Sequence, residues 1–399
     1  MPSQPTGATL LKELSSIQPQ TLDNDPQARQ NALSLSRKLT AALEDPTNAA
    51  VDMMFAPFIP SAVRIAVELH LFESLCESES PLSTAKLGDL TGADSLLLNR
   101  ILRLLASINF VQESGPDRSS TTPTTHAMAN PNIAAGHRFV WDILVEANVQ
   151  YHHFLKETHF KLPLEPTDHV IQFAHGTKYH TFEYLAKLRP DRFTDFHLFM
   201  GNTMGARSYW VDWYPVAERL LDGLDASSGS LLVDVDGGKG HDLQAFIKKF
   251  PDTKGKLVLQ DLPEALASIK DGDLDRRIYK QDQDFFAPNQ EVGARAYLMH
   301  HILHDWSDKY ALKILEPIVK AMKRGYSKLL IHDLVLPDAG VTSYQARWDM
   351  TMMTFNAGME RSRSQWQSLL SAAGLEIVQF CHGPDGEDAD GLVEAVLKA

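Results

Sequence analysis

Cysteine is almost missing from this chain. Cys76 and Cys381 are the only two in 399 residues, too few for a disulfide framework or a thiolate metal site. Cations are short as well: 38 Lys and Arg against 51 Asp and Glu leave a formal net charge of −13. Nucleic-acid binders lean on Lys and Arg against phosphates, so DNA or RNA is not an expected partner. Apolar runs are brief, and none approaches the ~18 residues that a spanning helix needs. The opening MPSQPTGATL lacks the charged-then-apolar order of a secretory signal. No membrane partner is expected, and the expected address is the cytosol. What is present is ordinary for a folded globular protein, with 44% hydrophobic and 22% charged residues. The length suits two domains better than one core.

The texture changes along the chain. Residues 1–45 are polar and scattered with Pro, Gln and Ser; only NALSLSRKLTAALED reads as an amphipathic helix, and the rest as a loose arm. Residues 46–130 follow a helix, turn, helix, wing outline. Ser83 is placed to cap a short helix and Gly92 to end it, while Asp94 caps a longer one running to about Ile108. NFVQESG and RSSTTPTT complete the wing. The longer helix carries a leucine stripe with Arg100 and Arg103 as its cations, which favours a protein partner over DNA. Residues 131–225 are mostly helical and rich in Phe, Met, Trp and Tyr, a composition that suits either plain core or the wall of an apolar pocket.

From residue 226 strands and helices alternate. SLLVDV, KLVLQDL, ARAYLMHHIL, SKLLIHDLVL, LEIVQFC and LVEAVLKA are strand-like, with HDLQAFIKKF, PEALASI, DKYALKILEPIVKAM and SRSQWQSLLSAAG between them. This succession predicts an α/β fold with a doubly wound, mainly parallel sheet. In such sheets ligands sit at the carboxyl ends of strands. There the first strand runs into Asp234-Val235-Asp236-Gly237-Gly238-Lys239-Gly240, which is neither G-x-G-x-x-G nor a P-loop. Asp261 ends the next strand 21 residues after Gly240, where an acid can take both hydroxyls of a ribose. Asp284-Phe285-Phe286 comes about one unit later, offering an acid for an adenine amino group and a ring to pack on it. No second glycine fingerprint marks a pyrophosphate site, so one nucleoside without phosphates fits best, and S-adenosylmethionine is the common such cofactor. Each acid alone is as well explained as a helix cap or solvated residue.

The third strand end is His300-His301-Ile302-Leu303-His304-Asp305-Trp306-Ser307-Asp308. No Cys/His set at ligand spacing accompanies it, so no metal is expected. Here a resemblance becomes specific. DVDGGKG, VLQDLPEA, QDFFAP, HHILHDWSD and GMERSRSQW, in this order and spacing, resemble the plant and fungal O-methyltransferases of the caffeate and flavonoid type over roughly residues 50–399. The resemblance implies a Rossmann-like catalytic domain preceded by a winged-helix dimerisation domain, and a homodimer.

It further implies that His304 is the general base, flanked by Glu360 of the Glu-Arg pair and by Asp333. A phenol has a pKa of ~10 and free imidazole ~6.5, so the base falls short unless a carboxylate on its far nitrogen raises it. By the same matching, cofactor contacts fall on Asp234, Asp236, Gly237, Gly238, Gly240, Asp261, Leu262, Asp284, Phe285, His300 and Trp306. The acceptor pocket falls on Phe196, Met200, Thr203, Met352 and Asn356. Two positions depart from the pattern. Asp236 stands where relatives have Gly, and Asp is among the few other residues that tolerate positive φ. Asp333 stands where they have Glu; one methylene shorter, it is expected to leave Glu360 as the principal partner. The leading expectation is methyl transfer to a hydroxyl of an aromatic or polyketide-like metabolite, with S-adenosylhomocysteine as product. The alternative is a pericyclase or dehydratase of the same fold that keeps the cofactor as a fixed charge. A winged-helix DNA binder ranks third.

Overall fold

Runs of Val, Leu and Ile with little polar interruption form strands that can be covered on both faces. The computed structural model describes residues 5–203, 208–225, 229–384, 386 and 388–399. Seven strands build one sheet: β1 (Ser230–Val235), β2 (Lys256–Asp261), β3 (Ile278–Asp282), β4 (Ala296–His300), β5 (Lys328–Asp333), β6 (Leu375–His382) and β7 (Gly391–Leu397). Their order is β6-β7-β5-β4-β1-β2-β3. Pairing is parallel from β3 to β5, and β7 runs antiparallel between β5 and β6. The expected sheet is therefore present, with β3 added from RRIYKQD. That strand lies at the edge with most residues exposed, so its segment lacks an apolar pattern.

Helices cover both faces. One carries the cluster of Ile314, Leu315 and Ile318 from α3 (Asp308–Ala321) with Trp366 and Leu369 from α5 (Arg363–Ala372). The other carries Leu243 and Phe246 from α2 (His241–Lys249) with Trp210 and Leu220. After β1 the chain moves outward to β2 and β3, then returns to β4 on the opposite side of β1. The connections thus part between β1 and β4, which leaves a crevice at their carboxyl ends. Two further helices are α1 (Pro190–Thr203) and α4 (Ser343–Asn356).

The chain divides into two units, Met1–Arg138 and Phe139–Ala399, so the aromatic helical segment after residue 138 belongs to the unit that holds the sheet. In the first unit the local signals behave as read. Ser83 accepts from the Lys86 N–H, Gly92 closes its helix at φ 73°, and Asp94 accepts from Leu96 and Leu97 at the start of Ser95–Ser107. Leu82–Ser83, Arg118–Ser120 and Gln112–Glu113 form the small wing sheet.

Three expectations need correction here. The arm before the expected helix is not loose: that helix runs Pro26–Leu43, and a further helix, Gly7–Ser15, packs on it, with Leu10 and Leu35 buried. Asp25 caps the longer one and Pro26 occupies its first turn. The Thr-rich tract is mostly not wing, because Thr122 forms a capping box that starts helix Pro123–Met128. Finally, one helical stretch, Pro46–Glu68, is long and apolar enough to span a membrane by length and composition. Val51, Met53, Met54, Phe55 and Phe58 on it are exposed.

Candidate active site

β1 ends in the glycine loop. Asp236 has φ 61°, the left-handed conformation that its glycine-like position demands. A Cβ on Gly237 would overlap the Asp234 side chain and Leu259, and one on Gly240 would overlap Leu274, whereas Gly238 faces open space. The loop is thus packed on its inner side and bare where Gly238 looks out. Asp261, at the end of β2, ties it down by accepting from the Gly238 N–H at 2.8 Å and from the Leu262 N–H at 2.7 Å.

β4 leads through His300 into a single tight turn, Leu303–Asp305, which carries His304. Nδ1 of His304 lies 2.8 Å from Oε1 of Glu360, and both side chains are buried. Its Nε2 lies 3.7 Å from Asp305. Burial pushes the imidazole pKa down, but the charges of Glu360 and Asp305 and the Glu360 hydrogen bond outweigh it and raise it to about 10. The gap to a phenol of pKa ~10 closes. Asp333 is fully buried at the end of β5, and neither of its oxygens has a hydrogen-bond partner. Burial, opposed by His304, raises its carboxyl to about 7. Asp333 thus makes no hydrogen bond to the ring, whereas Glu360 holds Nδ1 and His301 stacks on the ring with centroids 4.9 Å apart.

This constellation has close relatives. Residues 51–130 match the O-methyltransferase dimerisation domain and residues 205–376 the O-methyltransferase domain. The protein named O-methyltransferase penC of Penicillium thymicola is 43% identical over 97% of this chain and 96% of its own length. The chain belongs to the O-methyltransferase family. Among solved structures, one described as a pericyclic reaction enzyme has a TM-score of 0.86 at 26% identity, covering 98% of this chain and 99% of its own. The complex of LepI with S-adenosylmethionine has a TM-score of 0.85 at 27% identity over the same shares. The methyltransferase uses S-adenosylmethionine and a small-molecule acceptor, and nothing in these likenesses indicates a metal for the transfer. Its dimerisation domain covers the exposed apolar helix noted above and marks a homodimer.

The glycine loop of the methyltransferase fits a cationic nucleoside. Burial and neighbouring carboxylates push Asp234 and Asp236 well above the ordinary aspartate pKa, and burial also raises Asp261. Both oxygens of Asp234 are buried without a partner. Such a concentration of unneutralised acid favours a positive ligand. Trp306, largely buried, meets Phe285 and Phe286 edge-on, with centroids 5.9 and 5.3 Å away, so the rings expected beside the adenine form one aromatic cluster. Asp284 is exposed and already accepts from the Phe286 N–H, so its expected adenine contact is shared with a turn. Leu262 is 49% exposed beside Asp261. Nδ1 of His300 pairs with Asp242 at 2.8 Å, while its side chain stays partly exposed.

Of the residues expected on the acceptor side, Phe196 of α1 stacks on Phe193 and Phe355, tilts against Phe139 and meets Phe182 edge-on. Met200 is half-buried, and Met352 of α4 is buried. Asn356 donates to the Asp305 carbonyl at 3.2 Å while its Oδ1 stays buried and unpartnered. The side chain of Thr203 lies outside the described residues.

Sequence reading missed the residues that hold the His304 turn. Arg361, fully buried, donates to the carbonyls of Leu303 and Trp306 at 2.7 Å each and to Asp308 at 2.9 Å. The Met359 N–H donates to the His304 carbonyl at 2.8 Å, and a Cβ on Gly358 would overlap that same backbone. Arg361 and Ser362 pair in parallel with Val335 and Leu336, fixing Glu360 beside the sheet. The Glu-Arg dipeptide was a visible signal for Arg361; nothing local marked Gly358. His197 of α1, exposed and resting on the Phe193 ring with centroids 4.3 Å apart, was also missed. The fold also assembles Asp242, His300 and His332, a set that no sequence spacing revealed.

Proposed function

We propose that the methyltransferase methylates a hydroxyl of an aromatic or polyketide-like secondary metabolite, with His304 as general base. The single observation that carries this reading is the buried His304–Glu360 pair, 2.8 Å long, at the carboxyl edge of the sheet. S-adenosylmethionine, when bound, supplies a methyl group activated by its sulfonium. Asp234, Asp236, Asp261 and the open side of Gly238 would hold it, with Phe285 and Trp306 beside its adenine. His304 orients and deprotonates the acceptor hydroxyl through Nε2, because Nδ1 is occupied by Glu360. At neutral pH the resting imidazole carries a proton, which it must lose first; positive charge placed beside it favours that loss. Glu360 then stabilises the imidazolium that forms. Phe196, Met352 and their neighbours suit a flat apolar acceptor, since aromatic rings and thioethers make favourable contacts with its face. Cys76 and Cys381 are unpaired, which suits a reducing compartment and supports the cytosol as its location.

The test is a mass-spectrometric screen of phenolic and polyketide extracts for products gaining one CH₂, wild type against His304→Ala. The reading expects gains that vanish in the variant, and a variant as active as wild type would refute it. The likeness to a pericyclic reaction enzyme keeps a second reading open, in which the cofactor is not consumed. S-adenosylhomocysteine rising in step with product distinguishes methyl transfer from it.

A further inference from the structure

The methyl-transfer chemistry does not use His332 or Asp242. His332 sits inside β5 and is 3% exposed; Asp242 opens α2 and is 9% exposed. Nδ1 of His332 and Oδ1 of Asp242 are both buried with no hydrogen-bond partner. Two polar atoms left this way in the same place are costly unless something completes them. Between them lies His300, whose ring packs 4.0 Å from that of His332 and whose Nδ1 pairs with Oδ2 of Asp242. One donor atom from each of the three residues lies within 4.8 Å of the others.

We propose that Asp242, His300 and His332 form a binding site for a divalent transition-metal ion of the zinc class, separate from the transfer chemistry. Two imidazoles and one carboxylate are a borderline-soft donor set, which selects zinc, cobalt or nickel over magnesium or calcium. Three protein ligands leave a fourth position for water, the arrangement of an exchangeable rather than a closed structural ion. Tetrahedral ligands at ~2.0–2.1 Å from zinc stand ~3.4 Å apart. The three donors, within 4.8 Å of one another, would close in on an ion by side-chain rotation. The His300 side chain is 28% exposed, giving the ion a way in from solvent. His301 and Asp390, 3.4 Å apart, group with His300 in a second set and extend the donor cluster. The ligands come from α2, β4 and β5, so an ion here would clamp the helix that follows the glycine loop to the strand that leads to His304.

The test uses cobalt(II) as a probe on the purified full-length dimer after chelator treatment, followed by visible absorption and by calorimetry. The site predicts one cobalt per chain with the intense bands of low-coordinate nitrogen and oxygen ligation, displaced by equimolar zinc. His332→Ala and Asp242→Asn should each weaken binding by at least tenfold, with retained dimer elution and cofactor binding showing that both variants fold. Absence of stoichiometric cobalt at 100 micromolar, on the order of a weak adventitious site, would overturn the proposal. So would wild-type affinity in both folded variants. If either variant fails to fold, the wild-type cobalt spectrum decides alone, because octahedral, weakly absorbing cobalt contradicts the site.

Discussion

One hydrogen-bonded carboxylate makes the largest contribution to the basicity of His304. Glu360 supplies both a charge and a hydrogen bond to the ring, against the cost of burying it. Glu360→Gln keeps the shape and removes the charge, so it lowers the imidazole pKa and weakens the base. Turnover should fall by about 10²–10⁴-fold, the usual worth of a general base. The acid limb of kcat/KM should move to lower pH in the same variant, because the ring then loses its resting proton more easily. Asp333→Asn removes a carboxyl that makes no hydrogen bond to the base, so its effect on turnover should stay below about tenfold. Steady-state kinetics across pH check all three outcomes, and a Glu360→Gln enzyme with near-normal turnover contradicts the assignment. His304 and Glu360 were legible in the sequence through the order of motifs that the resemblance rests on. Asp242 and His332 were not, because residues 90 positions apart share a site only once β5 and α2 are in place.

At the scale of elements, the His304 turn depends on a loop far along the chain. Arg361 bridges its carbonyls and also lies 5.2 Å above the Trp366 ring. Gly358 packs on the turn's backbone with no room for a methyl group. Gly358→Ala should push the turn away, costing about 1–3 kcal/mol of stability, the usual range for overpacking, and cutting kcat more than cofactor affinity. Thermal melts with calorimetric titration of S-adenosylmethionine separate the two effects; unchanged kcat would show that the contact does not position the base. The same calorimetry on wild type tests Asp236, whose left-handed backbone is expected to leave binding intact. Caps and turns were readable because they are local: Ser83 and Asp94 each bond within three residues. The first helix and β3 were obscured by polar composition, since each buries only one apolar side chain.

For the whole molecule, the sheet carries a second buried charge centre. Glu394 in β7 is fully buried and accepts from Tyr214 and Arg219 at 2.9 Å, from Gln379 at 2.9 Å, and from Lys328. Burial pushes its carboxyl up, but the hydrogen bonds from Arg219 and Lys328 outweigh this and hold it below the usual glutamate value. A carboxylate lowered on folding adds stability above its unfolded pKa of ~4.3, and that stability is lost as pH falls through the folded value. His304 works in the opposite sense. Raised to about 10, it adds stability below its unfolded ~6.5 that disappears as pH climbs through the folded value. Stability should therefore decline at both ends of the range. Glu394→Gln should cost about 3 kcal/mol near neutrality, as breaking a buried pair does, and should flatten the acid side in denaturant titrations. A variant as stable as wild type at pH 7 would contradict this.

The most direct test is the protonation of His304 itself. Nitrogen-15 spectra of imidazole-labelled protein, with His304→Gln used to assign the signal, follow the ring across pH. A midpoint near 10 in wild type, falling toward 6.5 in Glu360→Gln, is the result expected of a base tuned by one carboxylate. A midpoint near 6.5 in both proteins would mean that the buried pair does not create the base.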